Sequence, residues 1–474
     1  MSQTDFASLD LHPELLDNLA SLGYDSMTPI QAHSLPFALA GKDLIAQGKT
    51  GSGKTAAFGL GLLQKLNVKQ FRVQSLVLCP TRELADQVAK GLRQLGRSIH
   101  NIKILTLCGG TPLYPQAHSL EHGAHIIVGT PGRIEDHLKK GTLKLDHVNT
   151  LVLDEADRML EMGFQATLDV IFDRMPSERQ TLLFSATFPD AIQAISKRIM
   201  HKPEMIQTDL VHDKNTIQQR LFQVDDTFDR ITVLRLLLLQ YQPTSTIIFC
   251  NTKKETVKVA KALTSHGFNT LALNGDLEQR DRDQTLVRFV NHSISVLVAT
   301  DVAARGLDIE DLDAVINYEI ANDVEVHTHR IGRTGRAGSQ GLACTLYHEN
   351  EAYKIVRLEA YLKQEITPEP LPDKALLDNK AFKATMTTLR IEGGKKQKLR
   401  PGDIVGALTG QNGITGKQIG KINIFDQSAY VAVNRDVVQS AIAKLKNGKL
   451  KGRNFKVRCI DDNVDRPKSE FKWR

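Results

Sequence analysis

The chain has 474 residues, 41% hydrophobic and 24% charged, ordinary values for a globular protein that buries its cores without disulfides or metal. No uninterrupted apolar run reaches about 18 residues, which argues against a membrane-spanning helix. The first residues lack the basic and apolar segments of a secretory signal. The five cysteines include no Cys-x-x-Cys pair, and we expect reduced thiols in a cytoplasmic protein.

The net charge of +7 is concentrated at one end of the chain. Residues 383–474 carry 20 Lys and Arg against 8 Asp and Glu, whereas residues 1–382 carry 41 basic and 46 acidic residues. A small basic module predicts a polyanionic partner such as a nucleic acid, because neutralising phosphates releases counterions. A basic tail that only aids solubility is the alternative.

Short apolar strands alternate with amphipathic helical stretches from residue 44 to about residue 200. The predicted strands are 43–47, 75–79, 103–107, 125–129, 150–154 and 180–184. The alternation restarts after a polar stretch at 201–218, with strands predicted at 246–250, 270–273, 295–299, 314–318 and 343–347. Buried strands separated by helices are typical of parallel α/β sheets, so two such domains are predicted, at 1–208 and 209–365.

The composition changes after about residue 360. Residues 366–398, which contain three prolines, are predicted to be a linker, and the run Gly-Gly-Lys-Lys-Gln-Lys at 393–398 is predicted to be a flexible basic connector within it. A small α+β domain with the order βαββαβ is predicted at 399–474. Its predicted strands are 403–408, 421–425, 429–433 and 455–460, and its predicted helices are 415–420 and 437–446.

Residues 48–55 read Gly-Lys-Thr-Gly-Ser-Gly-Lys-Thr and fit the pattern G-x-x-x-x-G-K-[ST]. They follow a predicted strand and precede a helical stretch, where backbone N–H groups and a helix N-terminus bind phosphate. The side chain of Lys54 is predicted to reach the β- and γ-phosphates, and the Thr55 hydroxyl to ligate Mg²⁺. The residues predicted to surround the phosphates are Gly51, Ser52 and Gly53.

Two acidic residues, Asp154 and Glu155, follow the apolar strand at 150–154. The carboxyl ends of parallel strands face the ligand crevice of an α/β sheet. Asp154 is therefore predicted to hold the metal, directly or through water, and Glu155 to orient or deprotonate the attacking water. A strand followed by an acidic turn is the alternative when this segment is considered alone.

The second α/β domain has no phosphate-binding loop of this pattern, but residues 329–336 read His-Arg-Ile-Gly-Arg-Thr-Gly-Arg. Arginines among small residues are well suited to clamp phosphate. We expect this domain to close over a nucleotide held by the first domain, with Arg333 or Arg336 as the arginine finger. A surface phosphate-binding loop without a catalytic role is the alternative.

Together these motifs resemble the DEAD-box RNA helicases, named after the sequence found here at 154–157. The resemblance covers nearly all of residues 6–340 and implies two RecA-like domains that use ATP. It implies adenine contacts by Phe6 and Gln31, with Met27 where the family usually has proline, and a ribose contact by Asp308. It also implies that Ser185, Thr187 and His329 couple hydrolysis to RNA. The residues that it implies for RNA binding in these domains are Pro80, Thr81, Arg82, Gly110, Thr130, Arg133, Arg282 and Thr300.

The C-terminal module resembles the RNA-binding domain of DbpA-type helicases, on residues 400–408 and 419–422. The resemblance implies a degenerate RNA-recognition motif that binds a hairpin of large-subunit ribosomal RNA during ribosome assembly. Residues 428–433 contain a single aromatic side chain, so base stacking on the open sheet is not expected. The predicted RNA contacts are instead in a basic run that includes Lys449, Lys451 and Arg453, for which a solvated face is the alternative.

The predicted function is that of an ATP-dependent RNA helicase whose ATP hydrolysis is stimulated by RNA and which unwinds or remodels structured RNA. ATP and Mg²⁺ are the predicted cofactors, and RNA is the predicted partner of a cytoplasmic monomer that does not contact membranes. Two alternatives share the same motifs: an ATP-gated RNA clamp and a DNA helicase.

Overall fold

The computed structural model describes residues 4–48, 51–207, 217–224, 227–304, 312–335, 340–362, 365–410 and 413–460. These residues form two seven-stranded sheets and one four-stranded sheet. The first seven-stranded sheet belongs to one compact unit of the chain, and the other two sheets belong to a second unit. The predicted fold class, two tandem RecA-like domains followed by a small α+β domain, is confirmed.

The first domain has a parallel sheet with the strand order β3-β4-β2-β5-β6-β1-β7. Its strands are β1 (Leu44–Gln47), β2 (Ser75–Leu78), β3 (Ile104–Leu107), β4 (Ile126–Gly129), β5 (Thr150–Asp154), β6 (Gln180–Ser185) and β7 (Glu204–Gln207). The six strands predicted from the sequence are confirmed. The edge strand β7 was missed because only one of its four residues, Ile206, is buried, so it lacks a strong apolar pattern.

Helices cover both faces of this sheet, and the strands therefore read as continuous apolar runs. The helices are α1 (Pro13–Ser21), α2 (Pro29–Leu39), α3 (Lys54–Gln64), α4 (Arg82–Leu95), α5 (Leu113–Glu121), α6 (Pro131–Lys139), α7 (Ala156–Glu161), α8 (Gln165–Phe172) and α9 (Asp190–Ile199). In β5, Val152 packs into one hydrophobic layer, whereas Leu151 and Leu153 pack into the other. Burial on both faces fixes the strand register and thereby the positions of the loops that follow each strand.

The second α/β domain has a parallel sheet with the order β10-β11-β9-β12-β13-β8-β14. Its strands are β8 (Ile217–Gln223), β9 (Thr246–Phe249), β10 (Thr270–Leu273), β11 (Val296–Ala299), β12 (Ala314–Asn317), β13 (Gly341–Tyr347) and β14 (Pro368–Glu369). Its helices are α10 (Arg230–Tyr241), α11 (Lys253–Ser265), α12 (Gln279–Val290), α13 (Asp301–Ala304), α14 (Val324–Ile331) and α15 (Ala352–Leu362). The five predicted strands are confirmed, and β8 and β14 are additional.

The C-terminal domain has an antiparallel sheet with the order β16-β17-β15-β18 and two helices. Its elements are β15 (Met386–Ile391), α16 (Pro401–Thr409), β16 (Ile419–Ile424), β17 (Ala429–Asn434), α17 (Val438–Asn447) and β18 (Val457–Cys459). The predicted order βαββαβ is present, but its first strand is β15. The predicted strand at 403–408 is wrong, and the predicted helix at 415–420 contains only a short 3-10 turn, Gly416–Gln418, before β16.

Local signals explain why residues 403–408 form a helix. Pro401 occupies the first helical position, and Asp403 accepts a hydrogen bond from the backbone N of Arg400 at 2.8 Å. Ile404 and Leu408, four residues apart, are fully buried on one face of the helix. A short apolar stretch can satisfy either a strand or a helix, and here the N-terminal capping decides.

The predicted linker at 366–398 is also wrong where its residues form strands of the two neighbouring sheets. Residues 368–369 form β14, which pairs with β8, and residues 386–391 form the central strand β15 of the C-terminal sheet. Between them, Phe382 packs edge-to-face against Phe268 of the second α/β domain, with ring centroids 5.7 Å apart. The partly buried side chains that join the core of that domain from this segment are Leu371, Leu376, Leu377, Ala381 and Phe382.

Among the described residues, no helix combines the length and the apolarity that a bilayer crossing requires.

Phe382→Ala should lower the free energy of unfolding of the second unit by about 1 to 3 kcal/mol, because the substitution removes a half-buried ring and its contact with Phe268. Chemical denaturation followed by circular dichroism measures this loss. Tyr353→Ala is a suitable control, since the Tyr353 side chain is 55% exposed in the same unit. The control should change the unfolding free energy by about 0.5 kcal/mol or less, and equal losses in both variants would contradict the packing of residues 371–382.

Candidate active site

The glycine-rich loop at 48–55 connects β1 to α3, as predicted; Lys49 and Thr50 lie outside the described residues. Gly51 and Gly53 have φ values of +79° and +93°, which side chains rarely adopt. Lys54 and Thr55 form the first turn of α3. The Lys54 side chain is buried, and its Nζ donates to the carbonyl of Gly48 at 3.2 Å. The loop thus curls around the amino end of α3 with its lysine pointing inward.

Two side chains at the start of α2 donate hydrogen bonds to backbone carbonyls of this loop. Thr28 Oγ1 donates to the carbonyl of Ser52 at 2.8 Å, and Gln31 Nε2 donates to the carbonyl of Gly53 at 3.1 Å. Gln31 Oε1 in turn accepts from the backbone N of Thr28 at 2.9 Å. A Cβ at Gly53 would overlap the Gln31 amide, so a glycine is required there for both contact and backbone conformation.

Phe6, the other predicted adenine contact, lies in a 3-10 turn ahead of α1. Its ring is buried and packs edge-to-face against Tyr24, with centroids 6.1 Å apart. Met27, which replaces the usual proline, is buried in the domain core, and its backbone N donates to Thr4 O at 2.7 Å. Both residues therefore pack the segment that leads into the Thr28–Gln31 turn against the domain.

Asp154 ends β5 at the same edge of the sheet as the glycine-rich loop. Its side chain is buried, and Oδ1 has no hydrogen-bond partner among the described residues. Burial raises the pKa of Asp154 to about 6, although the positive charge of Lys54 opposes the shift. A buried carboxylate oxygen without a donor is suited to bind a cation.

Glu155 is buried and adopts the left-handed conformation, with φ 54° and ψ 52°. This conformation costs a non-glycine residue about 1 kcal/mol or more and commonly occurs where a side chain must be aimed at a reaction centre. Glu155 therefore lies in the turn between β5 and α7 and belongs to neither element.

Asp157 joins this turn to the segment at 185–187. One of its oxygens accepts from both the backbone N and the Oγ1 of Thr187, each at 2.9 Å, and its own backbone N donates to Ser185 Oγ at 3.3 Å. Burial acts to raise the pKa of Asp157, but the charge of Arg158 and the Thr187 hydrogen bonds together hold it below its usual value. Ser185 also accepts, through its carbonyl, from the backbone N of Gly48 at 3.0 Å. The predicted coupling residues Ser185 and Thr187 therefore contact both halves of the site.

The predicted RNA-binding residues of the first domain lie after β2, β3 and β4. Arg82 extends along the Gly109–Gly110 segment so closely that a Cβ at Gly110 would overlap its guanidinium group. Arg133 Nη2 donates to the carbonyl of Thr111 at 3.0 Å, while Nε and Nη1 of Arg133 are buried without a hydrogen-bond partner among the described residues. The three segments, which carry Arg82, Gly110 and Arg133, are therefore in contact.

The remaining predicted contacts of this group begin the helices of those segments. Pro80 and Thr81 precede α4, and the Thr81 side chain caps this helix by accepting from Leu84 N at 3.3 Å. Thr130 precedes α6, and its backbone N donates to the carbonyl of Leu107 at 3.1 Å.

In the second domain, Arg282 and Thr300 are connected through α13. Arg282 Nη2 donates to the carbonyl of Ala303 at 2.8 Å, and Thr300 Oγ1 accepts from the backbone N of the same residue at 3.4 Å. His329 lies in α14, and Arg333 lies in the turn after it, where its carbonyl accepts from Leu312 N at 3.2 Å. The predicted residues Asp308 and Arg336 lie outside the described residues.

Arg330 is a central residue of this domain that was not assigned a role from the sequence. Its guanidinium is fully buried and forms two hydrogen bonds with the Asp301 carboxylate, at 2.6 and 2.7 Å. It also donates to Asn251 Oδ1 at 2.8 Å and to the Glu319 carbonyl at 2.6 Å, and it lies over the ring of Phe249. Arg330 thereby joins α13 to α14, and its position next to His329 in the arginine-rich motif was the available signal.

The three predicted basic contacts of the C-terminal domain lie in the loop between α17 and β18. Lys449 and Arg453 are exposed. Lys451 Nζ donates to the carbonyl of Lys398 at 2.6 Å and lies 3.5 Å from Asp403, so part of its role is to fix this loop to the start of α16.

Three family descriptions match successive parts of the chain: DEAD/DEAH box helicase at residues 28–195, helicase conserved C-terminal domain at 227–338, and DbpA RNA binding domain at 388–459. The chain is 52% identical over 458 residues to the ATP-dependent RNA helicase DbpA of Escherichia coli (strain K12), covering 96% of this chain and 100% of the relative. The chain belongs to the DEAD-box ATP-dependent RNA helicases of the DbpA type. The predictions of family and enzyme class are confirmed.

Other relatives agree with this assignment of a DbpA-type helicase. The ATP-dependent RNA helicase DbpA of Bacillus subtilis (strain 168) is 36% identical over 477 residues, covering 95% of this chain and 98% of the relative. Among solved structures, S. cerevisiae Dbp5 bound to RNA and ADP BeF3 matches with a TM-score of 0.70 and 31% identity, covering 77% of this chain and 96% of that chain.

Asp154→Asn should stabilise the first domain near neutral pH. Because the pKa of Asp154 is raised on folding, its favourable contribution to stability is present at low pH and is lost as the pH rises through about 6. The uncharged asparagine avoids this loss, so the gain in unfolding free energy should reach roughly 1 to 3 kcal/mol at about pH 8 and shrink toward about pH 5. Thermal unfolding at several pH values measures it.

Asp157→Asn is the matched control, since Asp157 is a buried carboxylate of the same turn with a lowered pKa. Its substitution should destabilise the domain at neutral pH, because the aspartate contributes stability above its unfolded pKa and loses it on acidification. The same sign of change for both variants would contradict the environments described for these carboxylates.

Proposed function

We propose that this helicase remodels structured large-subunit ribosomal RNA during ribosome assembly, as a cytoplasmic monomer. The observation that carries the proposal is the attachment of a DbpA RNA-binding domain to a complete DEAD-box core. The strongly basic composition of residues 383–474 supports a polyanionic target for that domain. The core would act on RNA held nearby, with little sequence preference of its own.

ATP would bind in the first domain, with its phosphates surrounded by residues 51–55 and its adenine read by Phe6 and Gln31. The site fits Mg²⁺, since Asp154 offers a buried carboxylate oxygen without a donor and Thr55 offers a hydroxyl, both hard oxygen ligands. When bound, the metal would neutralise charge on the β- and γ-phosphates.

Glu155 would orient and deprotonate the water that attacks the γ-phosphate. Its left-handed backbone would keep the carboxylate pointed away from β5, and Lys54 would stabilise the charge that develops on the phosphates. The hydrogen bonds that Thr187 donates to Asp157 and that Gly48 donates to Ser185 would transmit loss of the γ-phosphate to the RNA-binding segments.

The second domain would complete the reaction on closure. Arg333 and Arg336 would serve as arginine fingers, Asp308 would contact the ribose, and His329 would help couple the two ligands. Arg330 would act as a positioning residue, since its bonds to Asp301 fix α14 against α13. An arginine finger is worth about 10³ to 10⁵ in rate.

RNA would lie along the phosphate- and ribose-binding segments that carry Arg82, Gly110 and Arg133 in the first domain and Arg282 and Thr300 in the second. ATP and RNA would each favour the closed state and so tighten each other's binding. Closure would bend one strand and disrupt a few base pairs. A stacking step is worth about 1.4 kcal/mol in DNA, so one nucleotide-driven closure can open a handful of pairs.

A strand-displacement assay with a short RNA duplex, ATP or a non-hydrolysable analogue distinguishes this proposal from an ATP-gated clamp. Displacement that needs cycles of hydrolysis supports a helicase, whereas binding without displacement supports a clamp. ATPase stimulation by ribosomal RNA fragments, unrelated RNA and DNA tests the substrate. Equal stimulation by all three would contradict the proposed target.

Glu155→Gln should reduce RNA-stimulated ATP hydrolysis by at least about 100-fold while ATP and RNA binding persist, because only the positioned base is lost. Steady-state ATPase rates and equilibrium binding measure the two effects. Glu121→Gln, an exposed substitution in α5, is the control and should leave turnover unchanged. Full turnover by the Glu155 variant would remove this residue from the mechanism.

The double substitution Lys449→Glu and Arg453→Glu should weaken binding of a ribosomal RNA fragment at least about tenfold. It should also lower the salt dependence of binding. The matched control replaces Lys258 and Lys261, two exposed lysines of α11, by glutamate and so changes the net charge by the same amount. An equal loss in the control would show that net charge, rather than this loop, determines binding.

A further inference from the structure

Helix α5 (Leu113–Glu121) begins directly after the segment of the first domain that carries Gly110, one of the predicted RNA contacts. None of its nine residues is buried, and polar contacts hold its first turn in place. Gln116 Nε2 donates to the Cys108 carbonyl at 2.9 Å and to Thr111 Oγ1 at 2.7 Å. The amino end of α5 therefore has a fixed position beside Gly110.

Thr111 and Gln116 also contact the segment that follows β4. Arg133 Nη2 donates to the Thr111 carbonyl at 3.0 Å, and His137 Nε2 lies 3.2 Å from Gln116 Oε1. Arg133 is itself a predicted RNA contact. The first turn of α5 is thus continuous with the surface that carries Gly110 and Arg133.

The side chain of Tyr114 projects from this first turn into solvent. It is 78% exposed, more than any other tyrosine or phenylalanine of the described residues. The ring of His118, one helical turn later, is also exposed and is parallel to the Tyr114 ring within 5°, with ring centroids 6.5 Å apart. Two parallel, exposed rings therefore stand next to the predicted RNA-binding surface of the first domain.

The ligand that suits these rings is an unpaired nucleic-acid base. Proteins bind single-stranded RNA by combining a basic groove along the backbone with aromatic side chains on which the bases stack. Arg133 supplies positive charge beside Thr111, and the first turn of α5 contains no acidic residue that would repel a phosphate. A single exposed tyrosine is common on protein surfaces, but this one has a parallel second ring and adjoins the RNA-binding segments.

We infer that Tyr114, with His118 behind it, forms a base-stacking platform that extends the RNA site of the first domain beyond its phosphate and ribose contacts. A base stacks on the Tyr114 ring while the RNA backbone follows the segments of Gly110 and Arg133. Every base has a flat face, so the platform adds affinity without adding sequence preference. This inference rests on the proposed function for the path of RNA across the first domain, and it does not depend on a ribosomal target.

Tyr114→Ala in the full chain should weaken binding of an unstructured single-stranded RNA at least about fivefold, because stacking on the ring is lost. Fluorescence anisotropy in the presence of a non-hydrolysable ATP analogue measures the affinity. Tyr114→Phe keeps the ring and should keep the affinity. Tyr353→Ala is the matched control, since it removes a tyrosine that is 55% exposed in α15 of the second domain, and it should also keep the affinity. Unchanged binding by Tyr114→Ala, or an equal loss in the control, would overturn the inference.

Photocrosslinking locates the stacked base. The same RNA, with 5-iodouridine placed at one position at a time, should crosslink to Tyr114 from one position or two adjacent positions, and mass spectrometry of proteolytic fragments identifies the link. An abasic nucleotide at that position should weaken binding by the unsubstituted protein but cause no further loss in Tyr114→Ala, because both changes remove one contact. A ring that serves a protein partner would give no crosslink and additive losses, and either result would overturn the inference.

Arg82→Ala separates the platform from the proposed function. Weakened RNA binding by Arg82→Ala together with normal binding by Tyr114→Ala would refute the platform alone. Full RNA binding by Arg82→Ala would refute the proposed RNA path, and the crosslink at Tyr114 would then decide whether RNA reaches α5. Absence of any preference for ribosomal RNA would refute the proposed target and leave the platform standing.

Discussion

The parallel pairing of β5, β6 and β1 is the constraint on which the first domain's site depends. Asp154 lies beside Phe184, and Gln47 lies beside Ser185, so all three strands end at one edge. The metal-binding aspartate proposed here, the glycine-rich loop and the coupling segment follow those ends directly. The backbone hydrogen bond from Gly48 to Ser185 and the hydrogen bonds that Thr187 donates to the Asp157 carboxylate then make the three segments one connected structure.

Burial of the carboxylates in this connected structure determines their pKa values and their capacity to bind a cation. A carboxylate on the surface would have little reason to bind a cation tightly, whereas Asp154 is buried, its Oδ1 has no hydrogen-bond partner among the described residues and its pKa is raised. Asp157 in the same turn is also buried, but the charge of Arg158 and the hydrogen bonds donated by Thr187 lower its pKa. The two carboxylates of this turn thus differ in pKa, because burial dominates at Asp154, whereas Arg158 and Thr187 stabilise the charge of Asp157. The strain at Glu155 belongs to the same turn.

In the second unit, buried polar side chains that are hydrogen-bonded to one another join elements that are distant in sequence. Arg330 is buried and fully engaged with Asp301, Asn251 and Glu319, which fixes α14 and the arginine-rich turn that follows. Thr388, buried by Asn291 and Ser293, fixes the C-terminal sheet. Buried polar contacts of this kind contribute modestly to stability but strongly to a single arrangement, because every alternative leaves a group unpaired.

The sequence alone determined the parallel strands of both α/β domains, because they are buried on both faces and therefore read as apolar runs. It also determined the glycine-rich loop and the acidic pair, whose roles depend on contiguous residues and local backbone geometry. Residues 403–408 carry an apolar pattern that fits a strand, and the prediction overlooked the local capping at Arg400–Asp403 that makes them a helix. Tertiary structure decided which segment takes the vacant place in the sheet, where β15 pairs with β17 and β18. Gln31 bonds to Gly53, Arg330 to Asp301 and Thr388 to Asn291, which lie 22, 29 and 97 residues away in sequence. Contacts over such separations are set by how elements pack, and no pattern within either segment specifies them.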